Sequence, residues 1–275
     1  MPTQINIINL SIKKKLIYTG ILFLFVLAIQ LILTGSLHAS TSTPIVQAQE
    51  SYAYQVTKYI ELKDKYQTAK STFLTFKTAT AKNDAFQKTK DYLKQIDNVY
   101  KAYLLLVEER TNTISWDYAS TPREGLLQKI KDEITYFDNN QKDIDASQAL
   151  EDLPQLAKNI QSHVETTTLK IAFDTLAATD LAQIEEANAL FHSDYKLVDD
   201  FASPKTKSRE LYNNWKTELD KMQANLDGEM EIIKTKPNKS ATYNAQNPKF
   251  AFDTQKPIDI LSSTKTILRE ILKSI

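Results

Sequence analysis

Cysteine is missing from all 275 residues. That excludes disulfides, thiolate metal sites, a cysteine nucleophile and a lipid-bearing cysteine anchor. Whatever holds the fold together is burial and hydrogen bonding, which suits a chain of this length better than a small loop-rich one. Glycine is nearly missing too: four occur, and only Gly125 and Gly228 lie beyond residue 35. Tight β-turns draw on glycine for positive φ. So few glycines over so long a stretch exclude a β-rich domain and predict helices joined by few turns.

Acidic residues are missing from the first 49 positions, which carry only Lys13, Lys14 and Lys15 as charges. The formal net charge of zero therefore hides a slightly acidic remainder. Such a balance does not suit a polyanion binder, and nucleic acid is not expected as a partner. Glycine-rich phosphate loops, nucleophile elbows and zinc-protease motifs are all missing. No catalytic residue, cofactor or metal is therefore expected, and the chain reads as a non-enzyme.

What is present begins with the run Leu16–Leu37 behind the lysine triplet. As a helix it would extend about 33 Å, enough for a hydrocarbon core of about 30 Å. That length favours a retained transmembrane anchor, because a signal-peptide core is usually shorter. The small residues after it favour cleavage instead, with Val46-Gln47-Ala48 as the site and Pro44 keeping the chain extended upstream. Both readings stay open. Residues 1–15 read as a cytoplasmic basic region, 16–37 as the anchor or signal, and 38–50 as a polar linker or cleavage region. The positive-inside rule leaves the N-terminus cytoplasmic and residues 38–275 outside, or secreted after cleavage near Ala48.

Residues 51–275 read as an all-α, elongated antiparallel bundle of five to seven amphipathic helices with coiled-coil-like seams. Tyr52, Val56, Tyr59, Leu62, Tyr66, Ala69, Phe73 and Phe76 form the first seam, at spacings of three and four. Thr80–Asp84 reads as the break, with Asp84 and Gln87 as a capping box for a second helix. Its stripe is Phe86, Leu93, Ile96, Tyr100, Tyr103, Val107 and Ile114, giving a long hairpin over 51–118. Thr121 caps the next start, with Pro122 in its first turn, and Leu126, Ile130, Ile134 and Phe137 face inward. The polar stretch 138–149, with Asn139-Asn140, reads as a loop or a frayed turn.

A helix then starts near Asp152 with Pro154 in its first turn, and either breaks near Thr179-Asp180 or runs to Phe201. Ser203-Pro204 opens another, with Leu211, Trp215, Leu219, Met222, Leu226, Met230 and Ile233 inward. Lys234, Lys236 and Pro237 read as its stop, 237–255 as a loop and 256–275 as the last helix. Leu261, Leu268, Ile271 or Leu272, and Ile275 face inward there. Every stripe is narrow, so no helix is expected to be buried all round.

Candidate chemistry is thin. His163 and His192 lack the Glu-x-x-His spacing of a di-iron bundle, since positions 160 and 189 are Ile and Ala. The acids Glu185, Glu186, Asp199 and Asp200 lack a calcium-loop spacing. Eight of thirteen tyrosines fall between residues 52 and 118. Tyr59, Tyr66, Tyr100 and Trp215 are the candidate ligand or partner contacts, either as an aromatic pocket or as core rings whose hydroxyls reach water. The leading expectation is an extracytoplasmic interaction or scaffold module, held at the membrane by residues 16–37 if uncleaved. It would bind a protein partner or itself. The alternative is a small-ligand-binding or sensing bundle with a Tyr/Trp-lined pocket.

Overall fold

Pro44, at the first helical position after Thr43, opens helix α1, Pro44–Phe76. Proline suits that place because its missing N–H would be unpaired there anyway. Residues 44–50, expected to be extended at Pro44, are helical instead, and residues 38–42 lie outside the described set. The computed structural model describes residues 43–202, 209–239 and 255–274. The apolar run at 16–37 lies outside them. Among the described residues no helix is long and apolar enough to cross a membrane, and every element is helical.

Lys77 takes a left-handed conformation, φ 52 and ψ 26, and returns its N–H to the Phe73 carbonyl at 2.9 Å. Thr78 then caps α2, Ala79–Asn112, its hydroxyl accepting from the Ala81 N–H at 3.2 Å. The turn is therefore Lys77-Thr78, and Asp84 and Gln87 sit inside α2 with no capping role. Tyr52–Tyr103, Gln55–Gln95 and Tyr59–Tyr92 pair across the two helices. Partner numbers fall as seam numbers rise, which is the signature of an antiparallel hairpin.

Helix α3, Arg123–Ala146, begins after Pro122, with no side-chain cap from Thr121. It runs straight through the expected loop at 138–146. The reason is tertiary: Asn140 and Ile144 are buried against α2. Lys101–Asp138, Asn98–Gln141 and Lys94–Asp145 again pair antiparallel. A single 3-10 turn, Leu150–Asp152, leads to α4, Leu153–His163, with Pro154 in its first turn as expected. A π turn, Val164–Thr168, joins α4 to α5, Leu169–Ala202, without a break, so the chain does not stop at Thr179-Asp180.

Three clusters form the core. The largest gathers Leu93, Leu104, Val107, Ile130, Phe137, Ile144, Leu153, Ile160 and Leu176 from α2 to α5. Two smaller ones join the later part of α5 to α6, Arg209–Lys239, and α7, Gln255–Ser274, around Ile184 with Leu226 and Phe191 with Leu219. Helix α5 thus serves all of them. Its middle is buried nearly all round, at Ala172, Thr175, Leu176, Ala177, Thr179, Leu181, Ala182 and Ile184, which corrects the expectation of narrow stripes throughout. Alanines let neighbours approach closely. Thr175 and Thr179 return their hydroxyls to the carbonyls four residues back, at 2.8 Å each, so they can be buried without loss.

Helix α6 passes the expected stop at Pro237 and ends at Lys239. Proline there forfeits one donor in a last turn whose carbonyls are already short of partners. Thr264 and Leu261 of α7 face the core or its margin. Side chains of Val198, Leu211, Ile233, Leu268, Ile271 and Leu272, and residues 203–208, 240–254 and 275, lie outside the described set.

Candidate functional site

The four aromatic candidates do not converge on one cleft. Tyr59 meets Tyr92, hydroxyl to hydroxyl at 3.2 Å, and Tyr66 stacks on the same Tyr92 ring with centroids 5.0 Å apart. Both therefore belong to the α1–α2 seam, where burial and the neighbouring Tyr59 hydroxyl push the Tyr92 phenol far above its ordinary range. Tyr100 stacks on Phe137 between α2 and α3. Trp215 packs in the separate cluster of Phe191, Tyr212 and Leu219. A surface hollow of about 450 Å³ lies elsewhere, between Ile114 and Glu124, and none of the four lines it.

The histidines part company as well. His192 is exposed beside Phe191. His163 stacks on Tyr136, centroids 3.5 Å apart, and places Nε2 3.0 Å from Glu133 Oε2. Thr168 donates to that same oxygen at 2.8 Å. The π turn between His163 and Thr168 makes this possible. Its wider loop keeps Val164 and Thr168 both inward, so Glu133, itself buried, gains two partners from one rod. Asp199 binds the Tyr212 hydroxyl and lies 3.4 Å from Lys216 Nζ, while Glu185 accepts from the Ser120 N–H at 2.9 Å. These acids are thus engaged within the protein. Among the described residues no three His, Asp or Glu side chains gather as a metal site.

Asp97 is fully buried and accepts from Asn140 Nδ2 at 2.7 Å, while its second oxygen has no hydrogen-bond partner among the described residues. Burial drives its carboxyl up to about 7, against the pull of Asn140 and Lys101. Asp97 with Asn140, and Glu133 with His163 and Thr168, form two polar groups set two turns apart along α3 beside the largest core. Partnered groups of this kind help to set the register of α2, α3 and α4.

The surface that remains unaccounted for is the outer face of α1. This helix packs on α2 and on no other element to a comparable extent. Its inner stripe, Tyr52, Tyr59, Tyr66 and Phe73, repeats every seven residues and faces α2. A second stripe, Val46, Ala53, Ile60, Gln67 and Leu74, repeats at the same interval about 100° round the helix from the first, and all five are exposed. Ile60 is 54% exposed and Leu74 61%, with Tyr54 at 58% on the flank. Phe76, placed in the inner seam by its spacing, is instead 67% exposed, because the helix ends before it can reach α2. Once the inner seam is assigned, Val46, Ala53, Ile60 and Leu74 remain at seven-residue spacing on α1, broken by Gln67, a signal masked in the sequence by the stronger one.

No protein-family model, curated protein or solved structure matches this chain.

Proposed function

We propose that the chain is a non-enzymatic interaction module, anchored at a membrane by residues 16–37, whose outer α1 stripe receives a helix of a partner protein or of a second copy. The observation that carries this reading is the pair of seven-residue stripes on one helix, the inner one covered and the outer one bare. Isolated exposed apolar residues are ordinary, but a row at coiled-coil spacing matches what a partner helix needs. Heptad seams of this kind pair between chains as well as within one. The apolar run and lysine triplet support the anchor, with residues 38–275 outside the cytoplasm and the bundle elongated and antiparallel along its seams.

The test is photo-crosslinking from position 60 in the full chain, in native membranes. A discrete adduct with one protein species or with a second copy is expected from Ile60, none from position 193 on α5, and its loss in Tyr54→Glu with Val46→Glu. Equal labelling at both positions, or an adduct indifferent to those charges, would sink the reading. Intact mass and membrane fractionation of the native chain test the anchor separately. A mature N-terminus near residue 49 in the soluble fraction would replace anchoring by secretion.

A further inference from the structure

The far end of the α1–α2 hairpin is rich in lysine and poor in acids. Between residues 65 and 90 lie Lys65, Lys70, Lys77, Lys82, Lys88 and Lys90, with Asp84 as the only acid. Three of these cations have work inside the fold. Lys65 pairs with Glu61, Lys82 with Glu151, and Lys90 donates to the carbonyls of Asp145 and Ser147. Lys70, Lys77 and Lys88 have no carboxylate partner among the described residues; Lys70 merely lies over the Tyr66 ring. Between them stand Leu74 and Phe76, the two most exposed large apolar side chains described.

A cluster of unpaired cations alone would suit any polyanion. Here the cations surround two protruding apolar groups at a turn, and a soluble polyanion would leave those groups in water. A bilayer with anionic headgroups satisfies both at once: lysines meet the negative surface while the apolar tips pass between headgroups. We propose that the α1–α2 turn, with Leu74 and Phe76 ringed by Lys70, Lys77 and Lys88, docks on an anionic lipid surface. The site takes only the last member of the outer stripe, Leu74, leaves Val46, Ala53 and Ile60 to a partner helix, and does not require residues 16–37.

The absence of cysteine makes the test clean, because a single Thr75→Cys can carry an environment-sensitive dye on an exposed residue of the turn. The labelled full chain is reconstituted in phosphatidylcholine vesicles, in phosphatidylserine-rich vesicles, and in the former with phosphatidylserine-rich acceptor vesicles added. Docking on its own or on a facing membrane then registers in one arm or the other. Expected is a blue shift and gain in emission wherever phosphatidylserine is present, reversed by high salt. A dye at Ser193→Cys should stay silent. Lys70→Glu, Lys77→Glu and Lys88→Glu together should weaken the response about a hundredfold. Leu74→Ser with Phe76→Ser should abolish the blue shift while circular dichroism shows the helices intact. No response at position 75 in either phosphatidylserine arm overturns the proposal. So does a response equal to that at 193. Lysine-dependent binding of heparin without dye burial in vesicles would make the turn a polyanion site instead.

Discussion

Asn140 on α3 holds Asp97 on α2 by one hydrogen bond of 2.7 Å, and the carboxylate it holds is wholly cut off from water. A charge in that position has half of its acceptor capacity unmet. Neutralising it costs less than keeping it charged, which is why the carboxyl titrates near 7.

The consequence for stability follows in sign from the raised pKa. Between about pH 4 and 7 the folded chain keeps a proton that the unfolded chain has lost, so the penalty is absent in acid and complete above neutrality. This group's contribution makes the fold lose stability as pH rises through that window, by a few kcal/mol at most. Asp97→Asn mimics the protonated form. It should raise the melting temperature at pH 8 by several degrees and change it little at pH 4. Thermal unfolding at the two pH values checks this; an equal loss at both would refute it.

The turn between α1 and α2 stores backbone strain at a non-glycine residue. Lys77 has φ 52, a region where glycine carries no Cβ penalty. Lys77→Gly should stabilise the fold by about 0.5–1 kcal/mol, and Lys77→Val should destabilise it. Thr78→Ala, next door, removes the cap on Ala81 and should cost about 1 kcal/mol. Urea unfolding midpoints of the three variants give the comparison.

Arg110 and Asp180 form a half-buried ion pair at 2.6 Å between α2 and α5. Burial outweighs the arginine and leaves the Asp180 carboxyl above its usual range. Arg110→Met should therefore destabilise by about 3 kcal/mol, because it strands a desolvated acid. Adding Asp180→Asn should recover most of that loss. A double variant no better than the single one would show that the pair is not where the cost lies.

The helices were legible wherever apolar spacing and local chemistry agreed. Tyr52, Tyr59, Tyr66 and Phe73 announce the α1–α2 seam, and Pro154 marks the start of α4. Legibility failed where a polar residue had a distant partner. Asn139-Asn140 carries the local signature of a loop, yet Asn140 is buried because Asp97, 43 positions earlier, waits for it. Asp84 has the local signature of a cap, but Thr78 already supplies one. The burial of helix α5 is hard to read because Ala and Thr add little to an apolar stripe, although their small volume is what allows neighbours on every side. For the candidate surface, the inner stripe of α1 masks the outer one, and nothing in Phe76 alone says that α2 does not reach it.

The wide π turn at Val164–Thr168 fixes the angular phase of everything behind it. One additional residue per turn rotates each later side chain by roughly 100° around the rod axis. Leu153 and Ile160 before it and Ala172 and Leu176 after it join the same cluster across that offset, while Leu181, Ile184 and Phe191 lie further along the rod in the other two. Shortening this stretch by a single residue would leave the rod intact as a helix while aiming its second half at water, so length there is under tighter constraint than composition.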